Sequence, residues 1–198
     1  MAMALPKETE KYYTYKDYLT WGDDTRYELI DGVPYAMAGA SRVHQEIVGG
    51  IFSQLYSFLK GKQCKVFIAP FDVRLNPGSY DDTVVQPDIL VVCDRSKIGS
   101  KSCNGAPDMV IEILSPSNAQ YDLLVKYQKY LNAGVREYWI VDPERKTVQV
   151  FILENKKYIA NVYGDTDTAH VHVLDGCRIN LADVFSQISE IEGEVFNE

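Results

Sequence analysis

The sequence predicts an α/β domain of the α+β kind, a central mixed β-sheet flanked by helices, whose core runs helix, three strands, helix, strand. Three observations predict it. Ser41 to Lys60 places Val43, Ile47, Ile51, Leu55 and Leu59 at four-residue spacing, with Val48, Phe52 and Phe58 widening the stripe, the pattern of an amphipathic helix. Three apolar, strand-like runs follow: Lys65 to Leu75, Val84 to Val92 and Asp108 to Leu114. A second amphipathic stretch, about Ala119 to Ala133, carries the stripe Leu123, Tyr127, Tyr130, Leu131 and precedes a last core strand, Glu137 to Val141.

The boundaries have local reasons. Ser41 is an N-cap residue for the first long helix, and Gly61 and Gly134 stop the two helices. Gly49-Gly50 inside the first helix permits close packing against a neighbour. Asn76-Pro77-Gly78, Ser115-Pro116-Ser117 and Asp142-Pro143-Glu144 end strands in turns. On the N-terminal side, residues 1–11 are polar and expected to fray, Tyr12 to Leu19 reads as a short helix, and Arg26 to Asp31 turns at Gly32 into a strand from Val33. On the C-terminal side, Thr147 to Leu153 and Lys157 to Tyr163 read as a hairpin, His170 to Leu174 as a short strand, and Leu181 to Ile188 as a helix capped by Asn180. With 198 residues the expectation is one domain, its core about 26–188.

Composition narrows the class. No apolar run approaches the roughly 20 residues of a membrane helix, and the N-terminus lacks a signal-peptide pattern, so a cytoplasmic protein is expected. The four cysteines, Cys64, Cys93, Cys103 and Cys177, form no C-x-x-C pair, which argues against zinc ribbons and redox motifs and for free thiols. The net charge of −8 argues against tight nucleic-acid binding without metal, because Lys and Arg supply the usual phosphate contacts.

Two residues break the apolar runs. Asp88 sits within Val84-Val85-Gln86-Pro87-Asp88-Ile89-Leu90-Val91-Val92, and Glu112 within Met109-Val110-Ile111-Glu112-Ile113-Leu114. A continuous apolar strand is buried on both faces, where an ionised carboxylate costs several kcal/mol unless it is compensated. Two such residues on consecutive, neighbouring strands suggest a shared cation. Carboxylate ligands without clustered Cys or His favour Mg²⁺ or Mn²⁺ over Zn²⁺. Pro87 implies an edge or bulge that re-aims Asp88. On the following helix, Lys126 borders the apolar stripe one turn from Leu123 and Tyr130, positioned to swing toward the carboxylates and orient an attacking water or offset phosphoryl charge.

Pro87-Asp88 followed by Glu112-Ile113-Leu114 resembles the PD-(D/E)XK nuclease superfamily, whose core has the helix and strand order read above. More closely, the chain resembles the Uma-type restriction endonuclease family, a bacterial family frequent in cyanobacteria. The likeness runs from about Tyr27 to Phe185 and rests on Tyr27-Glu28-Leu29-Ile30-Asp31-Gly32, Ser41 to Glu46 with His44, Gln86-Pro87-Asp88, Pro107 to Ser117, Asp122 with Lys126, and Gly134 to Pro143 with Glu137-Tyr138-Trp139. The resemblance implies a restriction-endonuclease-like fold and metal-dependent hydrolysis of DNA phosphodiester bonds. It also implies Asp88, Glu112 and the main-chain carbonyl of Ile113 as ligands of Mg²⁺ or Mn²⁺. The superfamily lysine belongs two residues after the acid, where this chain has Leu114, so Lys126 on the next helix is the substitute. Superfamily sites often add an acid from the N-terminal part, for which Glu28, on the same side of its strand as Ile30, is the candidate. Many members dimerise to cut both strands, so a homodimer is an expectation.

Each residue also has a plainer reading. Asp88 and Glu112 are alternatively strand-end carboxylates reaching water, and Lys126 a surface partner of Asp122. His44, inside the apolar arc of the first helix, is alternatively a hydrogen-bonded core histidine. Glu46 falls on the opposite, solvated face, and His170-x-His172 reads as a solvated strand face. Two rival functions stand beside the nuclease: a catalytically inactive DNA- or protein-binding module on the same fold, and a metal-dependent hydrolase whose substrate is not nucleic acid.

Overall fold

Two prolines decide how the β-structure is divided. In this computed structural model, which describes residues 11–22, 25–78, 80–115 and 122–189, the expected strand from Lys65 to Leu75 is broken into β3 (Lys65–Ile68) and β4 (Asp72–Arg74). The expected strand from Val84 to Val92 is broken into β5 (Val84–Val85) and β6 (Ile89–Val92). Pro70 and Pro87 lie in the two breaks, where neither can donate a ladder hydrogen bond. β3 pairs antiparallel with β6, and β4 pairs antiparallel with β5. The four pieces therefore form one two-stranded ribbon that passes from one sheet into another, with a proline on each strand at the crossing.

The ribbon joins a five-stranded sheet to a six-stranded one. The first contains β1 (Tyr27–Ile30), β2 (Val33–Ala36) and β7 (Ser102–Asn104), in the order β2-β1-β5-β4-β7. The second contains β8 (Met109–Ile113), β9 (Glu137–Asp142), β10 (Thr147–Glu154) and β11 (Lys157–Gly164), in the order β11-β10-β9-β8-β6-β3. β8 and β9 run parallel, which requires a crossover. The end of that crossover is a π-helical turn, Asp122–Lys126, followed by a helix, Tyr127–Ala133. Gly134 stops the helix in the left-handed region (φ 86°), as its place in the sequence predicts. The expected helix start at Ala119 and the expected fraying of residues 1–10 lie outside the described residues.

The helices are α1 (Tyr15–Tyr18), α2 (Arg42–Leu59), α3 (Tyr127–Ala133) and α4 (Leu181–Ser189). α2 is the predicted amphipathic helix, its start capped by Ser41, whose Oγ accepts the His44 amide at 3.2 Å. The two faces of the six-stranded sheet take alternate side chains. Ile89, Val91, Met109, Ile111 and Trp139 pack with Ile47, Ile51 and Leu55 of α2 and Val184 of α4. Leu90, Val92, Val110, Tyr138 and Ile140 pack on the other side with Tyr130 of α3. Gly50 faces Val184, which lets α2 lie against α4. The C-terminal part adds β12 (Thr168–His170) and β13 (Arg178–Asn180); the expected strand to Leu174 stops at His170 because the chain turns there, Val171 donating to the Cys177 carbonyl. The Asn180 side chain caps α4 by accepting the Ala182 amide at 3.1 Å.

One expectation is overturned. Cys64 and Cys93 are joined in a disulfide and are not free thiols. The register explains the pairing: Lys65 faces Val92 across β3 and β6, so the residues one step beyond face each other. Cys103 and Cys177 are free and buried. Among the described residues no helix is long and apolar enough to cross a membrane.

The central packing of α2 predicts that Ile51→Ala, at a position with 0% exposure, lowers unfolding free energy by about 2–5 kcal/mol in urea titration. Val162→Ala, on exposed β11, is expected to stay within about 0.5 kcal/mol of wild type. Equal losses at the two positions would contradict the assignment of the core.

Candidate active site

The two sheets meet at the bend of the ribbon, and charged side chains collect there. Asp88 is the last residue of the Gln86-Pro87-Asp88 connector, immediately before β6. Its main-chain oxygen accepts the Ala69 amide at 3.1 Å, which ties the two crossing strands together at the break. Its side-chain Oδ2 accepts the Ile113 amide at 2.8 Å and lies 3.0 Å from Nε2 of His44 on α2. An ionised carboxylate only accepts hydrogen bonds, so this contact places a proton on Nε2. Nδ1 of His44 is buried without a partner among the described residues. Asp88 is thus half-sheltered, with 17% of its side chain exposed, and not sealed in an apolar strand as its neighbours suggest. Proline at 87 ended the ladder one residue early and left Asp88 at the seam.

Glu112 is buried. It alternates with Ile111 and Ile113 on β8, so it points with Val110 toward α3 and away from α2. Its Oε1 accepts from Nζ of Lys126 at 3.0 Å and from the Tyr130 hydroxyl at 2.6 Å. Glu28, on β1 of the other sheet, reaches the same ammonium: its Oε1 lies 2.9 Å from Nζ of Lys126 and accepts the Gln86 amide at 2.8 Å. The side chains of Glu28, Glu112 and Lys126 are only 3–4% exposed. Burial and the charges of Glu112 and Glu28 raise the Tyr130 hydroxyl well above its ordinary pKa, so it stays a donor.

The six residues expected from the sequence therefore converge. Glu28, Lys126 and Glu112 form one buried ion cluster. Asp88 and His44 form a second pair, joined to the first through the peptide that follows Glu112. Ile113 enters through its amide, where its carbonyl was the expected group. Lys126 is buried and not a surface residue, and the Asp122 side chain expected to pair with it lies outside the described ones. The lysine sits at the end of a π-helical turn, a distortion frequent at functional sites. Tyr130 was read only as core; its place one turn after Lys126, hence on the same helix face, was the available signal. Gln86, whose amide fixes Glu28, carried no signal beyond its position beside Pro87.

Glu46 does not join the site. It pairs with Arg42 at 2.8 Å and is partly buried, not fully solvated as expected. His170 and His172 lie side by side, ring centroids 6.4 Å apart, and are exposed, in keeping with a solvated face.

The donor chemistry was weighed against a divalent cation. Among the described residues no group of three His, Cys, Asp or Glu side chains is gathered closely enough to cage an ion. Mg²⁺ does not demand such a cage: it keeps several waters and takes one or two carboxylates together with substrate phosphate. Among the described residues, the carboxylates of Glu28 and Glu112 meet the single ammonium of Lys126 in a buried cluster, and no hydrogen bond reaches Oδ1 of Asp88. Asp88, which accepts the Ile113 amide, and Glu112, the residue just before it, offer two hard carboxylates of the kind that suit a small divalent ion.

The clamp makes a stability prediction. Lys126→Met strands Glu28 and Glu112 without their shared ammonium and is expected to cost about 3–5 kcal/mol in urea unfolding. Adding Glu28→Gln is expected to recover part of that loss. Wild-type stability in the single variant would rule out the clamp.

Comparison with known proteins agrees with this architecture. A crystal structure from Anabaena variabilis, described as a putative nuclease belonging to DUF820, superposes with a TM-score of 0.73 at 22% identity, covering 88% of this chain and 98% of the other. An uncharacterized protein of Synechocystis sp. is 28% identical over 140 residues, spanning 69% of this chain and 72% of its own length. The family profile Uma2, described as "Putative restriction endonuclease", matches residues 12–182, and with most of its length covered the chain belongs to the Uma2 family.

Proposed function

We propose that this protein is a metal-dependent endonuclease that hydrolyses DNA phosphodiester bonds. The observation that carries the reading is the convergence of Asp88, Glu112 and Lys126 at the seam between two sheets, beside the buried carboxylate of Glu28. Membership of a family described as "Putative restriction endonuclease", and a similar fold described as "a putative nuclease", support it.

In this reading Asp88, Glu112 and the main-chain carbonyl of Ile113 hold Mg²⁺ or Mn²⁺. The chemistry such an ion supplies when bound is Lewis-acid stabilisation of negative charge and a lowered pKa for water. Lys126 orients the attacking water and offsets charge on a phosphoryl oxygen. Glu28 holds the lysine, a different task from the metal ligation first open to it. His44 fixes the rotamer of Asp88 by its contact with Oδ2. A bound cation also offsets the net charge of −8 where the polyanion approaches. A homodimer would present two such sites, one to each strand.

The second reading is an inactive binding module on the same fold. Its specific support is the Lys126 ammonium, which already sits between two carboxylates. Purified protein incubated with supercoiled plasmid and Mg²⁺ or Mn²⁺ separates the two. Wild type is expected to nick the plasmid, and Asp88→Ala and Glu112→Ala are expected to lose at least about a hundredfold in rate. Identical nicking by all three proteins, or none by wild type, would defeat the catalytic reading.

A further inference from the structure

We propose that Tyr130 is a positioning residue for Glu112, the donor that keeps this carboxylate in place when Lys126 turns toward substrate. The inference rests on Asp88 and Glu112 being the cation-binding pair, as proposed above. Among the described residues, Oε1 of Glu112 accepts from two groups of different character. Lys126 is an ammonium on a flexible four-carbon stem, and its Nζ is shared, 2.9 Å from Glu28 and 3.0 Å from Glu112. When that ammonium swings on its stem toward water or a phosphoryl oxygen, its contact with Glu112 lengthens. A buried carboxylate that loses its donor rotates or draws a proton unless another donor remains.

Tyr130 supplies that donor, and it cannot follow the lysine. Its ring is 0% exposed, and its hydroxyl donates to Glu112 at 2.6 Å. It packs on Tyr138 with centroids 5.0 Å apart, and Tyr138 in turn packs on Phe151 at 5.9 Å. Its main chain is pinned too: the Tyr130 carbonyl accepts the Gly134 amide at 3.1 Å and the Val135 amide at 3.0 Å where α3 ends. A rigid phenol and a mobile ammonium therefore share one oxygen. The phenol sets the direction of the carboxylate, and the ammonium is free to respond to substrate. Partners of this kind around a ligating carboxylate usually govern metal affinity by about 10–100-fold.

Tyr130→Phe keeps the ring and removes only the hydroxyl. Mn²⁺ affinity is measured on the full-length protein by calorimetry, and plasmid nicking is followed across a Mn²⁺ series. The expected result is a metal Kd weakened about tenfold or more, with nicking depressed at limiting Mn²⁺ and restored toward wild type at saturation. Tyr158→Phe, which removes a part-buried hydroxyl that donates to the Val135 carbonyl and not to a carboxylate, is expected to bind Mn²⁺ as wild type does. Unchanged Mn²⁺ affinity in Tyr130→Phe, or an equal loss in Tyr158→Phe, overturns the positioning role while leaving the cation site intact. If wild type itself binds no Mn²⁺, the cation site falls and this proposal with it.

Discussion

The arrangement at the seam depends on one buried ammonium. Burying Lys126 carries a desolvation penalty of several kcal/mol, which the carboxylates of Glu28 and Glu112 offset at 2.9 and 3.0 Å. Those carboxylates come from different sheets, Glu28 from the five-stranded and Glu112 from the six-stranded one. The same contact that satisfies the lysine therefore fixes how the sheets meet. Among the described residues the cluster sets two carboxylates against one ammonium. This is the opposite of what stability alone favours, because an apolar replacement of similar volume often serves as well or better. Electrostatics that exceed structural need are a mark of functional sites.

The second constraint is the bent ribbon. β3–β6 and β4–β5 are one pair of strands crossing between sheets, and each strand carries its proline in the crossing. Proline withholds the amide that would have continued the ladder, so the break costs no stranded donor at that residue. Asp88 follows directly and is left where its carboxylate reaches the Ile113 amide on β8 and His44 on α2. Backbone irregularity and side-chain chemistry thus share one cause. The π-helical turn before α3 makes a similar adjustment on the opposite side, delivering Lys126 to the seam.

Much of this was legible in the sequence, for identifiable reasons. Asp88 and Glu112 stand out because a charge within an aliphatic run has few inexpensive explanations. The order of helices and strands followed from periodicity, and α2 appeared with its expected cap and core face. The break at Pro70 was missed because strand-like residues flank it on both sides, from Phe67 to Val73, and apolar character continues through the bend. The disulfide was missed because Cys64 and Cys93 are far apart in sequence, and only the β3–β6 register brings them opposite. Tyr130 was taken for packing because an aromatic on a core stripe usually is packing. Its hydroxyl acquires meaning only once Glu112 is known to lie beneath it.

The carboxylates gathered at the seam lead to one decisive observation. Crystals soaked in MnCl₂ and measured at the manganese edge are predicted to give an anomalous peak bounded by Asp88, Glu112 and the carbonyl of Ile113. A map without a peak there, or with manganese only beside His170 and His172, would contradict the account.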